Sequence, residues 1–181
     1  MPRKVVFLLS LAFGLAACGG EPPATSSTPM LKVTRSVEID APPALAWQKI
    51  KDFDALHEWL PTIARTRITR GHNNTPGAVR LLTLKKGGTV EQELLAYDAA
   101  GMSQTWRIIR GVLPVSDYES TIRVEALGDD RSKVIWTGEF RRRDTGDKPQ
   151  EGEDDKAAID AIESRYRAGL SNLKKIIERG R

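Results

Sequence analysis

The stretch AIDAIESRYRAGLSNLKKIIE, residues 158–178, decides the fold because it is the clearest helix in the chain. Two aspartates, Asp154 and Asp155, precede it and basic residues close it, so the charges at both ends suit the helix dipole. The pattern predicts a long C-terminal helix with one face covered by another layer. Its apolar residues recur at steps of three and four: Ile159, Ile162, Tyr166, Leu170, Leu173 and Ile177.

A series of short strands can supply that layer. Between residues 64 and 143, turn residues recur at intervals of about ten positions, which is typical of an antiparallel meander. Residues 33–39 alternate in polarity and predict an earlier strand, which Pro42 and Pro43 end. Two short helical patterns follow, around Trp47 and Trp59. The order predicts an α+β helix-grip fold, with a curved antiparallel sheet of about six or seven strands around the C-terminal helix.

The sequence resembles the SRPBCC superfamily, also called START-like, and within it the branch of polyketide cyclases, dehydrases and lipid transport. The resemblance implies a cavity for a hydrophobic small molecule between sheet and helix, in carriers and enzymes alike. It rests on the order and spacing of weak matches: residues 37–42 with Ala46 and Trp47; Asp52 and Phe53 with Leu56, Trp59 and Pro61; Gly77 with Arg80; Gly88 with Glu93 and Leu94; residues 113–115 with Tyr118; Trp136; and residues 166–170 with Leu173 and Lys174.

Arg80 and Glu93 are the candidate polar pair of that cavity. If the turn at residues 85–88 is a two- or four-residue loop, Arg80 lies opposite or diagonal to Glu93 on one face. A four-residue turn at 98–101 then puts Trp106 opposite Glu93. The other face of these strands is equally apolar, and a surface ion pair is the alternative interpretation. We favour the Arg80 face because a pocket needs a few polar groups within an apolar lining.

The last two strands have a clearer alternation. Tyr118 and Ser120 should face inward on one strand, and Trp136, Gly138 and Phe140 on the next, which requires an odd number of residues in the turn at 128–131. Gly138 makes room for the long helix or for a ligand. The expected ligand-binding residues are Arg80, Glu93, Trp106, Tyr118, Trp136, Trp59, Phe140 and Tyr166.

Little in the sequence indicates catalysis. The two histidines, His57 and His72, fit a helix surface and a turn, and no spacing of ligands indicates a metal or a cofactor. If the protein is an enzyme, Glu93 is the candidate acid or base, although an ionised Glu beside Arg80 favours binding. The basic run 141–143 is cancelled by acidic residues at 144–155, in a segment that looks like a mobile loop, which argues against nucleic acid; contact with anionic lipid remains open.

The N-terminus reads as an export signal. Arg3 and Lys4 are followed by an apolar run, residues 5–17, that is too short to span a bilayer. The sequence LAAC at residues 15–18 resembles the bacterial lipoprotein signal, in which the cysteine is acylated and becomes the N-terminus. The resemblance implies a lipid anchor on Cys18, the only cysteine of the 181-residue chain. Residues 18–30 then form a flexible tether and residues 31–181 one domain.

These observations predict a membrane-anchored lipoprotein that binds a hydrophobic or amphipathic, lipid-like molecule in the cavity. Gly19 after the cysteine resembles lipoproteins sorted to the outer membrane, which suggests a position on the periplasmic side of the cell envelope. Two alternatives stay open. One is an enzyme of the cyclase, dehydratase or hydrolase kind, and the other is an envelope interaction module whose cavity has filled in. A cavity below about 300 Å³ would argue against a ligand of ordinary size.

Overall fold

The computed structural model describes residues 28–180, which form one antiparallel sheet, two short helices and one long C-terminal helix. The predicted helix-grip architecture is confirmed, element by element. The strands are β1 (Leu31–Ile39), β2 (Ile63–Arg70), β3 (Val79–Leu84), β4 (Thr89–Asp98), β5 (Ser103–Gly111), β6 (Val115–Ala126) and β7 (Ser132–Arg142). The helices are α1 (Pro43–Ile50), α2 (Leu56–Trp59), preceded by a 3₁₀ turn (Phe53–Ala55), and α3 (Asp155–Arg179).

The seven strands lie in the order β1-β7-β6-β5-β4-β3-β2, with every neighbouring pair antiparallel. The first two strands of the chain therefore lie at opposite edges of the sheet. The segment containing α1 and α2 carries the chain from one edge to the other. Helix α3 packs on β1 and β7, so the core lies between the inner face of the sheet and the three helices.

Helix α3 begins and is oriented as its sequence predicts. The side chain of Asp154 caps it by accepting a hydrogen bond of 2.7 Å from the backbone N–H of Ala157. Five of the six residues that define the predicted apolar face are buried and Ile159 is partly buried against the core. Because a helix of this kind is held mainly by tertiary packing, its burial on the sheet is the main source of its stability.

Two glycines let α3 approach the sheet closely. A Cβ atom at Gly138 on β7 would lie 2.2 Å from the hydroxyl oxygen of Tyr166, and one at Gly169 on α3 would lie 3.0 Å from the ring of Trp136. Real Cβ atoms do not approach so closely, so any side chain at Gly138 would displace Tyr166. Of the two predicted uses of Gly138, the structure selects helix packing.

The turn between β3 and β4 corrects the predicted register. Thr83 pairs with Thr89, and the N–H of Leu84 donates to the carbonyl of Gly88 at 3.1 Å, so the loop has three residues, 85–87, and not two or four. Gly87 and Gly88 permit it because both have positive φ, 96° and 81°. An odd loop moves the pairing by one residue, which exchanges the two faces of β4 relative to β3.

A β-bulge makes a second correction, between β4 and β5. The hairpin closes with Asp98 paired to Ser103, and a register shift between Leu94 and Ala96 then brings Leu94, not Glu93, opposite Trp106. The extra residue of a bulge has no counterpart on the partner strand, and alternation in the sequence does not reveal it. The predicted pairing of Trp106 with Glu93 is wrong because the four-residue turn lies at 99–102 and not at 98–101. This turn alone would put Leu95 opposite Trp106, and the bulge changes the partner to Leu94.

The turn between β6 and β7 agrees with the prediction. Ala126 pairs with Ser132, and the N–H of Leu127 donates to the carbonyl of Arg131 at 2.9 Å, which leaves an odd loop of three residues. The inward set predicted for these strands is buried. Its members are Tyr118, Ser120, Ile122, Val124, Val134, Trp136, Gly138 and Phe140.

Two asparagines in the loop after β2 hold the short helical segment in place. Asn74 accepts from the N–H of Phe53 at 2.8 Å and donates to the carboxylate of Asp52 at 3.0 Å. Asn73 makes the corresponding pair of bonds with Asp54, at 3.1 and 2.9 Å. The loop that the sequence explains by turn chemistry therefore also fixes the beginning of the 3₁₀ turn.

The signal segment and Cys18 lie outside the described residues, as does most of the predicted tether. Thr28, within that predicted tether, is buried, and its hydroxyl donates to the carbonyl of Thr145 at 2.9 Å. The chain therefore contacts the domain from Thr28 onward. Within residues 28–180, no helix combines the length and the apolar character needed to cross a membrane.

Candidate ligand-binding site

An aromatic cluster fills the centre of the space between the sheet and α3. The indole of Trp136 on β7 stacks on the ring of Tyr166 on α3, with centroids 4.1 Å apart and planes inclined by 15°. Trp59 and Trp106 meet Trp136 edge-on at 5.3 and 6.0 Å. These pairings are the favourable geometries for aromatic rings, so the cluster joins α2, α3, β5 and β7.

A chain of hydrogen bonds runs beside this cluster and has a defined direction. The hydroxyl of Ser120 donates to the carbonyl of Thr137 at 2.9 Å, so its oxygen must accept from its other neighbours, the indole N–H of Trp136 at 2.8 Å and the hydroxyl of Tyr166 at 2.9 Å. With its proton used there, Tyr166 accepts from Tyr118 at 2.7 Å. Each of the three hydroxyl groups thus has one acceptor.

Burial makes both phenols of this hydrogen-bonded series, those of Tyr118 and Tyr166, harder to ionise. Desolvation raises the pKa of Tyr118, although the neighbouring hydroxyl groups of Ser120 and Tyr166 oppose the shift. Desolvation also raises the pKa of Tyr166, and the neighbouring Tyr118 adds to the effect. Both residues are therefore neutral at physiological pH and can act only as hydrogen-bonding groups.

A small cavity lies next to these residues, between α2, α3 and the inner faces of β3, β4 and β5. Its volume is about 30 Å³, enough for roughly one water molecule and far below the approximately 300 Å³ of an ordinary ligand site. Its polar groups are Gln92, Tyr118, Arg165 and Tyr166. Its apolar lining consists of Leu56, Leu60, Ile63, Leu82, Leu84, Val90, Trp106, Ile108, Leu113, Trp136 and Ile162.

Arg80 lies in the core next to this cavity. Its Nε donates to Gln92 at 2.9 Å and its Nη1 to the carbonyl of Phe53 at 2.5 Å, while its Nη2 has no partner among the described residues. The guanidinium carbon lies 3.9 Å from the ring centroid of Phe53 and 5.0 Å from that of Trp106. Desolvation lowers the pKa of Arg80 to about 9, so it carries a charge at neutral pH at the expense of stability.

Comparison with known proteins identifies the family. The sequence matches the family described as "Polyketide cyclase / dehydrase and lipid transport" over residues 30–178. The chain belongs to this family. The resemblance to the SRPBCC superfamily is thereby confirmed for the described domain.

Solved structures agree with this assignment. The chain is similar to the protein XoxI from Bacillus cereus, with a TM-score of 0.70 and 30% identity over 81% of this chain and 95% of that one. An uncharacterized protein from Bacillus thuringiensis has a TM-score of 0.71 and 29% identity over 82% and 99%. The Zhui aromatase/cyclase of a Streptomyces species has a TM-score of 0.68 and 20% identity over 83% and 94%, which shows a shared fold alone.

Glu93 is not part of the internal site of this family member. It lies on the outer face of the sheet, where it accepts from Arg107 at 2.6 Å and from Arg70 at 3.2 Å. The three-residue turn places Gln92, not Glu93, opposite Arg80 and inside the molecule. The predicted Arg80 and Glu93 pair is therefore wrong, and a surface ion network takes its place.

The other predicted residues are all buried on the inner side. Trp106, Tyr118, Trp136 and Tyr166 line the cavity. Trp59 and Phe140 belong to the surrounding core: Trp59 contacts Trp136, and the ring of Phe140 stacks on Tyr118 at 6.0 Å. Sequence reasoning missed Gln92 and Arg165. Gln92 alternates with Val90 and Leu94, which was the available signal once the register was known.

A groove on the outer surface comes close to the cavity. The pairing of β5 and β6 ends at Arg107 and Glu119, and beyond it the two strands border a groove of about 670 Å³. Ile108 and Tyr118 border both this groove and the internal cavity. These two residues therefore separate the buried site from solvent on this side.

The basic run 141–143 is engaged in structural contacts. Arg141 pairs with Asp117 at 3.3 Å, Arg142 with Asp155 at 2.9 Å, and Arg143 donates to the carbonyls of Gly111 and Leu113. In the following loop, Asp144 accepts from the N–H groups of Gly146 and Gln150, and these bonds lower its pKa. The run therefore offers no free cationic patch for nucleic acid or lipid.

The remaining candidates for chemistry lie at the surface. His57 on α2 is exposed, as predicted, and so is His72 in the loop after β2. Across residues 28–180, no group of three or more His, Cys, Asp or Glu side chains is arranged to hold a metal ion. The chemically distinctive part of the described domain is thus the internal site with its two arginines, Arg80 and Arg165.

Proposed function

We propose that the protein is a non-catalytic binding protein of the cell envelope, anchored by a lipid on Cys18, that takes a hydrophobic or amphipathic small molecule between its sheet and α3. The observation that carries this proposal is the composition of the internal cavity. Eleven apolar residues and four polar ones line it, and none is Asp, Glu or His. An apolar lining with a few placed polar groups is typical of sites for small molecules.

The size of the cavity adds a condition to this proposal. A volume of about 30 Å³ admits no ligand of ordinary size, so side chains must move before such a ligand can enter. Ile108 and Tyr118, which separate the cavity from the outer groove, are the side chains best placed to do so. The closed arrangement is then the ligand-free member of an ensemble, and the ligand stabilises the open one.

Catalysis is less well supported. Its candidate acid or base, Glu93, forms ion pairs on the outer face of the sheet, and the phenols of Tyr118 and Tyr166 have raised pKa values and donate to partners inside the core. General acid and base catalysis needs a group whose pKa lies near the working pH within reach of the substrate. No carboxyl or imidazole group among residues 28–180 lines the cavity.

An envelope interaction module is the second candidate, and the closed cavity is the observation that favours it. In that case the aromatic cluster is a core and the function lies on the surface. The two candidates differ in what the internal site does in the presence of apolar molecules. Only a binding protein retains one there.

Native mass spectrometry of the full chain, purified from bacterial membranes, tests the proposal. We expect a non-covalent adduct of a small apolar or amphipathic molecule. In the variant Ile108→Ala, a smaller side chain in the wall of the cavity should increase the occupied fraction. The matched control is Ile135→Ala on the outer face of β7, which removes the same atoms away from the cavity and should leave occupancy unchanged.

The opposite result would decide for the interaction module. If neither the natural chain nor Ile108→Ala retains any adduct after incubation with a total membrane lipid extract, internal ligand binding is excluded. If Ile135→Ala raises occupancy as much as Ile108→Ala, the molecule binds elsewhere on the domain.

A further inference from the structure

Most arginines of the described domain form ion pairs with Asp or Glu at 4.0 Å or less: Arg35, Arg70, Arg107, Arg110, Arg123, Arg131, Arg141, Arg142, Arg143 and Arg167. Three more, Arg65, Arg67 and Arg179, have no such pair but are exposed to water. Arg80 and Arg165, on the inner side of the sheet and at the cavity, form none with any described residue. Removing a cation from water without a counter-ion lowers the stability of the fold, so the burial of Arg80 and Arg165 needs a functional explanation.

Arg165 is the cationic residue that lines the cavity. It projects from α3 beside Ile162 and Tyr166, and its one hydrogen bond within the described domain goes from Nη1 to the carbonyl of Ala161 in its own helix, at 3.2 Å. Partial burial lowers its pKa. Arg165 is partly exposed, so it is in contact with both the cavity and solvent.

Arg80 adds a second positive charge behind the wall of the same cavity. Its guanidinium carbon lies 3.9 Å from the ring centroid of Phe53 and 5.0 Å from that of Trp106, and its Nε–H donates to Gln92 at 2.9 Å. Of these three residues, Gln92 and Trp106 line the cavity. The charge of Asp54 acts on Arg80 only from beyond ion-pair distance. The Nη2 atom of Arg80 has no hydrogen-bond partner within residues 28–180.

Two cations beside an apolar space create a positive potential that a water-filled surface groove would screen. The two tyrosines cannot compensate it, because their raised pKa values keep both phenols uncharged. A ligand with an anionic group would compensate this positive potential. A guanidinium is well suited to this, since its planar N–H groups match the oxygens of a carboxylate or phosphate.

We propose that the internal site is selective for an amphipathic anion, whose carboxylate or phosphate pairs with Arg165 while its apolar body lies among the leucines and isoleucines of the cavity. This inference rests on the proposed binding function and names its ligand class. Arg165 is the specificity-determining residue. The buried charge of Arg80 strengthens the preference without touching the ligand, since it lies behind Gln92 and Trp106.

A series of probes with one apolar tail and different head groups tests the proposal on the full chain with Cys18→Ser, which cannot be acylated. The probes are decanoate, decyl phosphate, decanol and decyltrimethylammonium, each below its micelle concentration. Binding is followed by the fluorescence of the tryptophans and by the rise in Tm. We expect decanoate or decyl phosphate to bind about 10- to 100-fold more tightly than decanol, as for a hydrogen bond to a charged group. The stronger of the two identifies the head group.

Variants assign the preference to Arg165. Arg165→Gln should abolish the advantage of the anions and leave the affinity for decanol unchanged, while Arg165→Lys should retain part of it. The control is Arg167→Gln, two residues along α3, which removes an exposed arginine paired with Glu163 and should preserve the advantage. Circular dichroism and the Tm of each variant verify folding.

The outcomes separate this inference from the proposal beneath it. If decanol binds as tightly as the anions, or the cationic probe binds best, the site binds apolar molecules without the proposed selectivity and the inference is overturned alone. An anion preference that survives in Arg165→Gln overturns the role of Arg165. If no probe binds to the natural sequence or to Ile108→Ala, the binding function itself fails.

Discussion

At Tyr166, one hydroxyl group joins the long helix to strand β6 by two hydrogen bonds. It donates to Ser120 on β6 and accepts from Tyr118 on the same strand, directly above the glycine at position 138 of β7. The direction of these bonds follows from the single proton of Ser120, which is donated to the carbonyl of Thr137. The two tyrosines therefore have unequal roles, since Tyr166 is both donor and acceptor whereas Tyr118 is only a donor in this chain.

This inequality predicts unequal effects on stability. Tyr166→Phe leaves the buried hydroxyl of Tyr118 without an acceptor, and we expect it to lower the free energy of unfolding by about 1–3 kcal/mol. Tyr118→Phe removes only the first donor and should cost about 0.5–1.5 kcal/mol. Urea unfolding of both variants measures the difference. A cost for Tyr118→Phe equal to or above that for Tyr166→Phe would contradict the assigned direction.

Glu93 is a residue whose removal should matter little. Glu93 itself is 16% exposed, but its partners Arg70 and Arg107 are 65% and 56% exposed, and ion pairs open to water on one side contribute about 1 kcal/mol or less. Glu93→Gln should therefore change the unfolding free energy by less than about 1 kcal/mol and leave ligand uptake as it is. The matched control is Glu91→Gln, which breaks the pair with Arg110 on the same face. Loss of ligand uptake in Glu93→Gln alone would return this residue to the site.

At the scale of secondary-structure elements, the β3–β4 hairpin determines which side chains of these two strands point into the core. Its three-residue loop brings Gln92 opposite Arg80, whereas a loop with one residue more or fewer would bring Glu93 or Glu91 there. Either change would place a glutamate side chain of β4 in the core. The positive φ of Gly87 and Gly88 is the local feature on which this register depends.

Gly87 offers a direct test of that turn. Its φ of 96° suits glycine, and no atom lies within 4 Å of a Cβ built there, so Gly87→Ala isolates the backbone strain. We expect a loss of about 1–2 kcal/mol in unfolding free energy. Lys86→Ala in the same loop is the control and should stay within about 0.5 kcal/mol. Equal values for the two variants would show that the loop does not require glycine at position 87.

Gly138 tests how closely α3 packs on β7. Gly138→Ala places a methyl group 2.2 Å from the hydroxyl oxygen of Tyr166, so one element must shift, and we expect a loss of at least about 1–3 kcal/mol. In the background Tyr166→Phe the clashing oxygen is absent, and the cost of Gly138→Ala should fall. A double-mutant cycle by urea unfolding measures this coupling. Strictly additive effects would mean that the strain arises elsewhere.

At the scale of the whole molecule, the prediction to test is the attachment of the domain to a membrane. The LAAC stretch at residues 15–18 predicts a lipid anchor on Cys18, and Thr28, the first described residue, contacts the domain. We expect the natural chain, expressed with its signal in a bacterium, to fractionate with membranes. Cys18→Ser should move it to the soluble fraction after washing, with an unchanged Tm. Membrane association that persists in Cys18→Ser would show that another part of the chain attaches it.

The prediction of the fold and the prediction of the site rested on different kinds of signal. Helix α3 follows from the three-and-four spacing around Tyr166 and Leu170, and strands β6 and β7 follow from strict alternation around Tyr118 and Trp136. In these elements the position of one buried residue predicts, from the period of the helix or strand, which neighbouring residues are buried. In β3 and β4 both faces are apolar enough to be buried, so alternation could not choose between Glu93 and Gln92.

The sequence by itself determined the order of elements, the inward face of the last three of them and the family to which the chain belongs, because these depend on local periodicity and on the spacing of motifs. The tertiary structure decided the register of β3 to β5, the closed volume of about 30 Å³ and the position of two inner arginines, Arg80 and Arg165, without an ion pair among the described residues. Those depend on one residue in a loop, one bulge and the packing of side chains from distant elements. Such properties arise only when the chain is folded, because no single segment contains the atoms that define them.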